Sequence, residues 1–79
     1  IMKAIIGVKL EHRENTATEL QKIATQFGCD IKTRIGLHDV HNNVCETSGI
    51  ILFEVIKNAQ EFEAALKGIE GAAVKSMTF

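Results

Sequence analysis

Proline, tryptophan and tyrosine are absent from this chain of 79 residues, and cysteine occurs only twice. Without proline, no helix or strand is interrupted by a missing amide donor. Two cysteines, Cys29 and Cys45, are too few for a disulfide framework. They read as reduced thiols, Cys29 a small apolar residue and Cys45 a loop thiol. No apolar run is long enough to span a bilayer and no signal-peptide pattern precedes the first strand, so no membrane contact is expected and the cytoplasm is the expected compartment. Met2 reads as the native start and Ile1 as an upstream residue. Charge of one sign is also lacking: 9 basic and 10 acidic residues leave a net charge of -1. A free-standing nucleic-acid binder needs a basic patch to displace counterions, so no direct nucleic-acid binding is expected.

What is present describes a folded domain. Hydrophobic residues make up 46% and charged residues 24%, a globular rather than a disordered balance. The length allows one domain, residues 2–79. A chain this short buries only about 60% of the surface it exposes when unfolded. Folds of this size usually add a disulfide, a metal or a partner subunit.

Residues 2–10 are rich in Ile and Val and read as a strand. Asn15 or Thr16 suits a helix N-cap, and Leu20, Ile23, Ala24 and Phe27 recur at i, i+3, i+4 and i+7, which predicts a helix over 16–27. Gly28 stands where a left-handed cap is wanted. Residues 29–37 alternate, with Cys29, Ile31, Thr33, Ile35 and Leu37 on one face and Asp30, Lys32, Arg34 and Gly36 on the other, a half-buried strand with one wet face. Residues 38–48 are polar and read as a connection turning at Asn42-Asn43. Residues 49–56 form a third strand, with Ile50 to Phe53 apolar on both faces. Asn58 caps the next helix, with Glu61 placed to complete a capping box. Phe62, Ala65, Leu66 and Ile69 make its apolar stripe, and Gly68 and Gly71 bracket its end. Residues 72–79 close the pattern as a last strand.

The order strand-helix-strand-strand-helix-strand predicts an α+β, ferredoxin-like βαββαβ fold: a four-stranded antiparallel sheet with two helices on one face. Strands one and three, apolar on both faces, take the centre. The helices cover one face only. The other is left with Ile5 or Ile6, and with either Ile50 and Leu52 or Ile51 and Phe53. Such a patch is large for a monomer, so this face or an adjoining edge is expected to pack against another copy in a dimer or tetramer. Ile5, Ile51 and Phe53 are the interface residues taken forward. Shielding by sheet twist and by Lys3 and Lys9 is the plainer alternative.

The chemistry-bearing residues gather between the second and third strands. His38, His41 and Cys45 have residue types that suit zinc, nickel or copper, with Asp39, His12 or a residue of a second subunit as the missing ligand. A solvated polar turn ranks ahead of a transition-metal site. Cys45 with a histidine lacks the third orienting group and oxyanion site that nucleophilic catalysis needs, and no phosphate-cradling glycine loop opens a helix. Arg34 beside Gly36 suits a carboxylate or phosphate, and His12 and Arg13 are candidates for contact with a small polar effector at a subunit interface.

The segment Arg34-Ile35-Gly36-Leu37, the turn, the run Gly49-Ile50-Ile51-Leu52 and the ending Ile69-Glu70-Gly71-x-x-Val74-Lys75 resemble the small ACT-like regulators of the iron-only hydrogenase system. That family is similar to the C-terminal, metal-binding and oligomerising domain of the nickel-responsive repressor. The resemblance implies a ferredoxin-like fold, homo-oligomers and a non-enzymatic regulatory role in anaerobic bacteria. The turn before the first helix reads His12-Arg13-Glu14-Asn15-Thr16, without the glycine that amino-acid-binding ACT domains carry there. A metal-responsive sensor using the 38–45 loop and an amino-acid-like binder at a subunit interface remain the alternatives, ahead of a small barrel oxygenase.

Overall fold

The computed structural model describes residues 3–10, 14–41 and 44–79, with side chains for all of these except 14, 15, 38–41 and 44–48. Strand β1 (Ala4–Leu10) is followed by helix α1 (Glu14–Gln26), a single 3-10 turn (Gly28–Asp30), β2 (Ile31–His41), β3 (Val44–Val55), α2 (Ala59–Lys67) and β4 (Ala72–Thr78). The four strands form one antiparallel sheet in the order β2-β3-β1-β4. This is the ferredoxin-like α+β arrangement, with β1 and β3 central as their apolar composition requires.

The register decides what each face carries. Ala4, Ile6 and Val8 of β1 stand opposite Val55, Phe53 and Ile51 of β3. These β1 residues, with Val55 and Phe53, are buried together with Leu20 and Ala24 of α1 and Phe62 and Leu66 of α2. Both predicted helical stripes therefore face the sheet. Phe62 is the hub: its ring meets Phe53 edge-on at 5.1 Å and lies 5.2 Å from Phe27, distances at which aromatic pairs add to simple burial.

The alternate residues point away from the helices. Ile5 pairs with Glu54, Gly7 with Leu52 and Lys9 with Ile50 across β1 and β3, while β4 contributes Ala73, Lys75 and Met77. Of the two pairings the sequence left open, Ile50 with Leu52 takes the open face. Ile51 and Phe53 belong to the helix-covered face, and Phe53 is fully buried. The physical reason is strand alternation: once Ile6 is under the helices, its partner Phe53 must be there too.

Strand β2 also departs from expectation. A register shift between Ile31 and Thr33 puts Ile31 beside the core. Thr33, Ile35 and Leu37 then fall on the open face, and Arg34 and Gly36 on the helix side. The apolar side of this strand is consequently the uncovered one. Cys29 is exposed, in the 3-10 turn rather than in a strand. Residues 38–41 and 44–48 continue β2 and β3 as paired hairpin arms, where a polar connection was expected. Their polar side chains carry no core signal, so the sequence pattern gave no reason to extend the strands.

Three caps are built differently from the sequence pattern, the first because α1 begins at Glu14 and takes Asn15 and Thr16 inside it. Gly28 has no positive φ; the left-handed glycine is Gly71, at φ 89°, in the turn between α2 and β4. Asn58 precedes α2 but adopts φ 57° and makes no side-chain cap bond. Its Nδ2 instead donates to Asp30 Oδ2 at 3.1 Å. Asp30 is buried, its backbone N–H donates to Phe27 O at 2.9 Å, and its carbonyl accepts from Ile56 N–H at 2.9 Å. Lys57 Nζ stands 3.8 Å from the other carboxylate oxygen. The entry to β2 is thereby latched to the exit from β3, an arrangement that holds Asn58 in a conformation uncommon for a residue with a side chain.

Truncating the aromatic hub tests this core. Phe62→Ala should cost about 3–5 kcal/mol in urea unfolding at fixed protein concentration, while Thr25→Ala, on the exposed side of α1, should stay within about 0.5 kcal/mol. Equal effects would contradict the packing described.

Candidate functional site

Two surfaces concentrate polar chemistry with shape. The first is a cleft of about 240 Å³ between the end of α1 and β2, bordered by Thr25, Gly28, Lys32 and Arg34. Arg34 crosses the rim. Its Nη1 donates to Gln21 Oε1 at 3.0 Å, and its guanidinium carbon lies 5.6 Å from the Phe53 ring centre. Both contacts orient the guanidinium, and the ring face attracts its charge. Arg34 is therefore an oriented cation beside the cleft, and carboxylate or phosphate is the chemistry it would accept.

The second surface is the open sheet face. Ile35 and Leu37 of β2, Ile50 of β3 and Met77 of β4 are 51%, 49%, 40% and 59% exposed. Ile5 and Leu52 lie between them in the register. Phe79 extends the same side, since its backbone pairs with Lys3 at 2.8 Å and strand alternation continues from Met77. Lys3 Nζ and Glu54 Oε2 form an ion pair at 3.0 Å, and Thr33 Oγ1 donates to Glu54 Oε1 at 2.8 Å. The Lys3 contact, then the Thr33 bond, hold the Glu54 carboxyl below the usual glutamate range. Beside this pair, Gly7, Lys9, Ile50, Ala73 and Lys75 line a shallow depression of about 350 Å³. Sequence reasoning passed over this notch. The available signal was Gly7 itself, because a glycine inside a strand marks a place where something approaches closely.

The histidine candidates are placed only through the backbone. His38 pairs with Gly49, Val40 with Cys45 and His41 with Val44, so these residues stand on the two arms of one hairpin rather than in a free loop. The side chains of His38, His41 and Cys45, and the whole of His12 and Arg13, lie outside the described residues. Among the described residues no group of three or more His, Cys, Asp or Glu side chains is arranged to hold a metal. Among them, too, no helix is long and apolar enough to cross a membrane.

No family model and no curated protein matches the chain. Among solved structures it is similar to the uncharacterized protein TM1266 from Thermotoga maritima, with a TM-score of 0.82 and 23% identity over 100% of this chain and 99% of that one. The likeness establishes a shared fold over the full length of both.

The Glu54 cluster gives a pH dependence of known sign. A carboxyl whose pKa is depressed by folding contributes stability that is complete above its unfolded value and is lost as pH falls through its folded value. Wild-type protein should lose that contribution as pH falls below the usual glutamate range and through the lowered range of Glu54. Glu54→Gln should flatten this limb of the stability-versus-pH curve measured by urea unfolding. An unchanged limb would remove the cluster from the account.

Proposed function

We propose that this chain is a non-enzymatic, ACT-like regulatory domain that works as a homo-oligomer and responds to a small effector. The observation that carries the reading is the open sheet face, which holds a row of large apolar side chains in water. Burying one such side chain contributes roughly 1.5–3 kcal/mol, and a chain of this size has little other stability to draw on. A second copy laid on the face, or joined at an adjoining edge, gives these residues a partner. The non-enzymatic part rests on the sequence, where no nucleophile has an oriented base within its motif. Residues 34–37, 49–52 and 69–75 support the iron-only hydrogenase system as the regulated target. With a net charge of -1, regulation would pass through a partner protein.

Association is tested by light scattering and sedimentation at micromolar concentration. Wild-type protein should run as a dimer or tetramer. Ile35→Glu with Met77→Glu should shift it to monomer while the far-ultraviolet circular dichroism is kept. A monomeric wild type would sink the oligomer. For the regulatory target, deleting the coding sequence should change hydrogenase transcript levels in the host. Unchanged transcripts would remove that assignment and leave the oligomer untouched.

A further inference from the structure

We propose that the notch over Gly7 on the open sheet face binds a small carboxylate with an apolar body, its carboxylate held between Lys9 and Lys75. This names the effector class for the regulatory reading above and rests on it.

The register builds the site. Gly7 stands opposite Lys75, and Lys9 stands opposite Ala73, on neighbouring antiparallel strands. The four residues make a square with the two smallest on one diagonal and the two lysines on the other. Residues on such a diagonal are separated by about 7–8 Å, so the two ammonium groups can converge on one anion above the small pair. Across β1 the square is walled by Ile50 and Leu52. Gly7 is one wall of the depression of about 350 Å³, within the usual range for small-molecule sites.

The charge pattern selects the ligand. Lys3, Lys57 and Lys67 each have a carboxylate partner, in Glu54, Asp30 and Glu63. Lys9 and Lys75 have none among the described residues. They are two like charges set in an apolar face. Covering that face while both remain unpaired weakens its contact with a second copy. A carboxylate supplies the counter-charge through charge-assisted hydrogen bonds, and its apolar body takes the space over Gly7 and Ala73. A cation is repelled, and a bare inorganic anion leaves the apolar floor unfilled. The same ligand thus cancels one of the two charges and strengthens the pairing of this face with a second copy.

Isothermal titration of the full chain with hexanoate tests this, with acetate and hexylammonium as controls. Hexanoate should saturate at one per chain. Acetate, which keeps the charge and loses the body, should bind at least about tenfold more weakly, and hexylammonium should not bind. Lys9→Gln with Lys75→Gln should weaken hexanoate by about tenfold or more. Gly7→Val should abolish binding by filling the notch. A Cβ there already presses on the tip of Leu52 at 3.3 Å, so circular dichroism first checks that the variant is folded. If the double lysine variant fails to fold, Gly7→Val and Lys75→Gln alone carry the test. No saturation by about 10 mM, equal binding of hexylammonium, or hexanoate affinity unchanged in the variants would overturn the site. Light scattering on the same samples separates the two readings. An oligomer blind to hexanoate removes the site and leaves the association. A monomer that binds hexanoate leaves the site and removes the association.

Discussion

The pairing of Ile6 with Phe53 is the constraint on which the rest of the structure depends. A strand has two faces and a fixed alternation, so one pair under the helices assigns every other position on β1 and β3. Ala4, Val8, Ile51 and Val55 follow Ile6 and Phe53 toward α1 and α2. Ile5, Gly7, Lys9, Ile50, Leu52 and Glu54 are sent the other way. The Phe53–Phe62 contact fixes α2 over this pair, and Phe27 adds the end of α1. A slip of β1 by one residue would turn Gly7 and Lys9 into the core and part them from Glu54 and Lys75, which β3 and β4 keep on the open face. Core and candidate surface are two consequences of one register.

Much of this was legible in the sequence. The two helical stripes, at Leu20 to Phe27 and Phe62 to Ile69, gave both helices and the face each buries. The two-sided character of strands one and three gave their central place and the existence of an uncovered apolar face. What the sequence could not fix was which of its residues lay there. Ile50 to Phe53 is a continuous apolar run, and without alternation the run is silent about phase. On β2 the alternation was clean, yet it misled. The register shift after Ile31 exchanged the faces, so that Ile35 and Leu37 mark the open side and Arg34 the helix side. At Asn58 the local pattern offered a helix cap, but the buried carboxylate of Asp30, 28 residues earlier, claims the side chain. A long-range partner of that kind has no local signature.

The candidate surfaces were less legible than the fold for a related reason. Metal-binding types such as His38, His41 and Cys45 draw attention in a linear reading because they are rare. Lysines and glycines do not. Yet Gly7, Lys9 and Lys75 acquire meaning only when two strands are laid side by side, since the square they form with Ala73 joins positions more than 60 residues apart in the chain. Arg34 illustrates the converse. Its residue type was noticed, but its partners Gln21 and Phe53 are what turn a long flexible side chain into an oriented charge.

The strand order has a further consequence. The chain divides into two similar halves, one holding β1, α1 and β2, the other β3, α2 and β4. Every hydrogen-bonded strand pair, β2 with β3, β3 with β1 and β1 with β4, joins one half to the other. Neither half contains a strand pair of its own, and the Asp30–Asn58 latch also crosses between them. The halves are interleaved like the fingers of clasped hands. Neither is a unit that could assemble first and wait for its counterpart: the β2–β3 hairpin is local, but β1 must close on β3 and β4 over distant contacts, which slows folding.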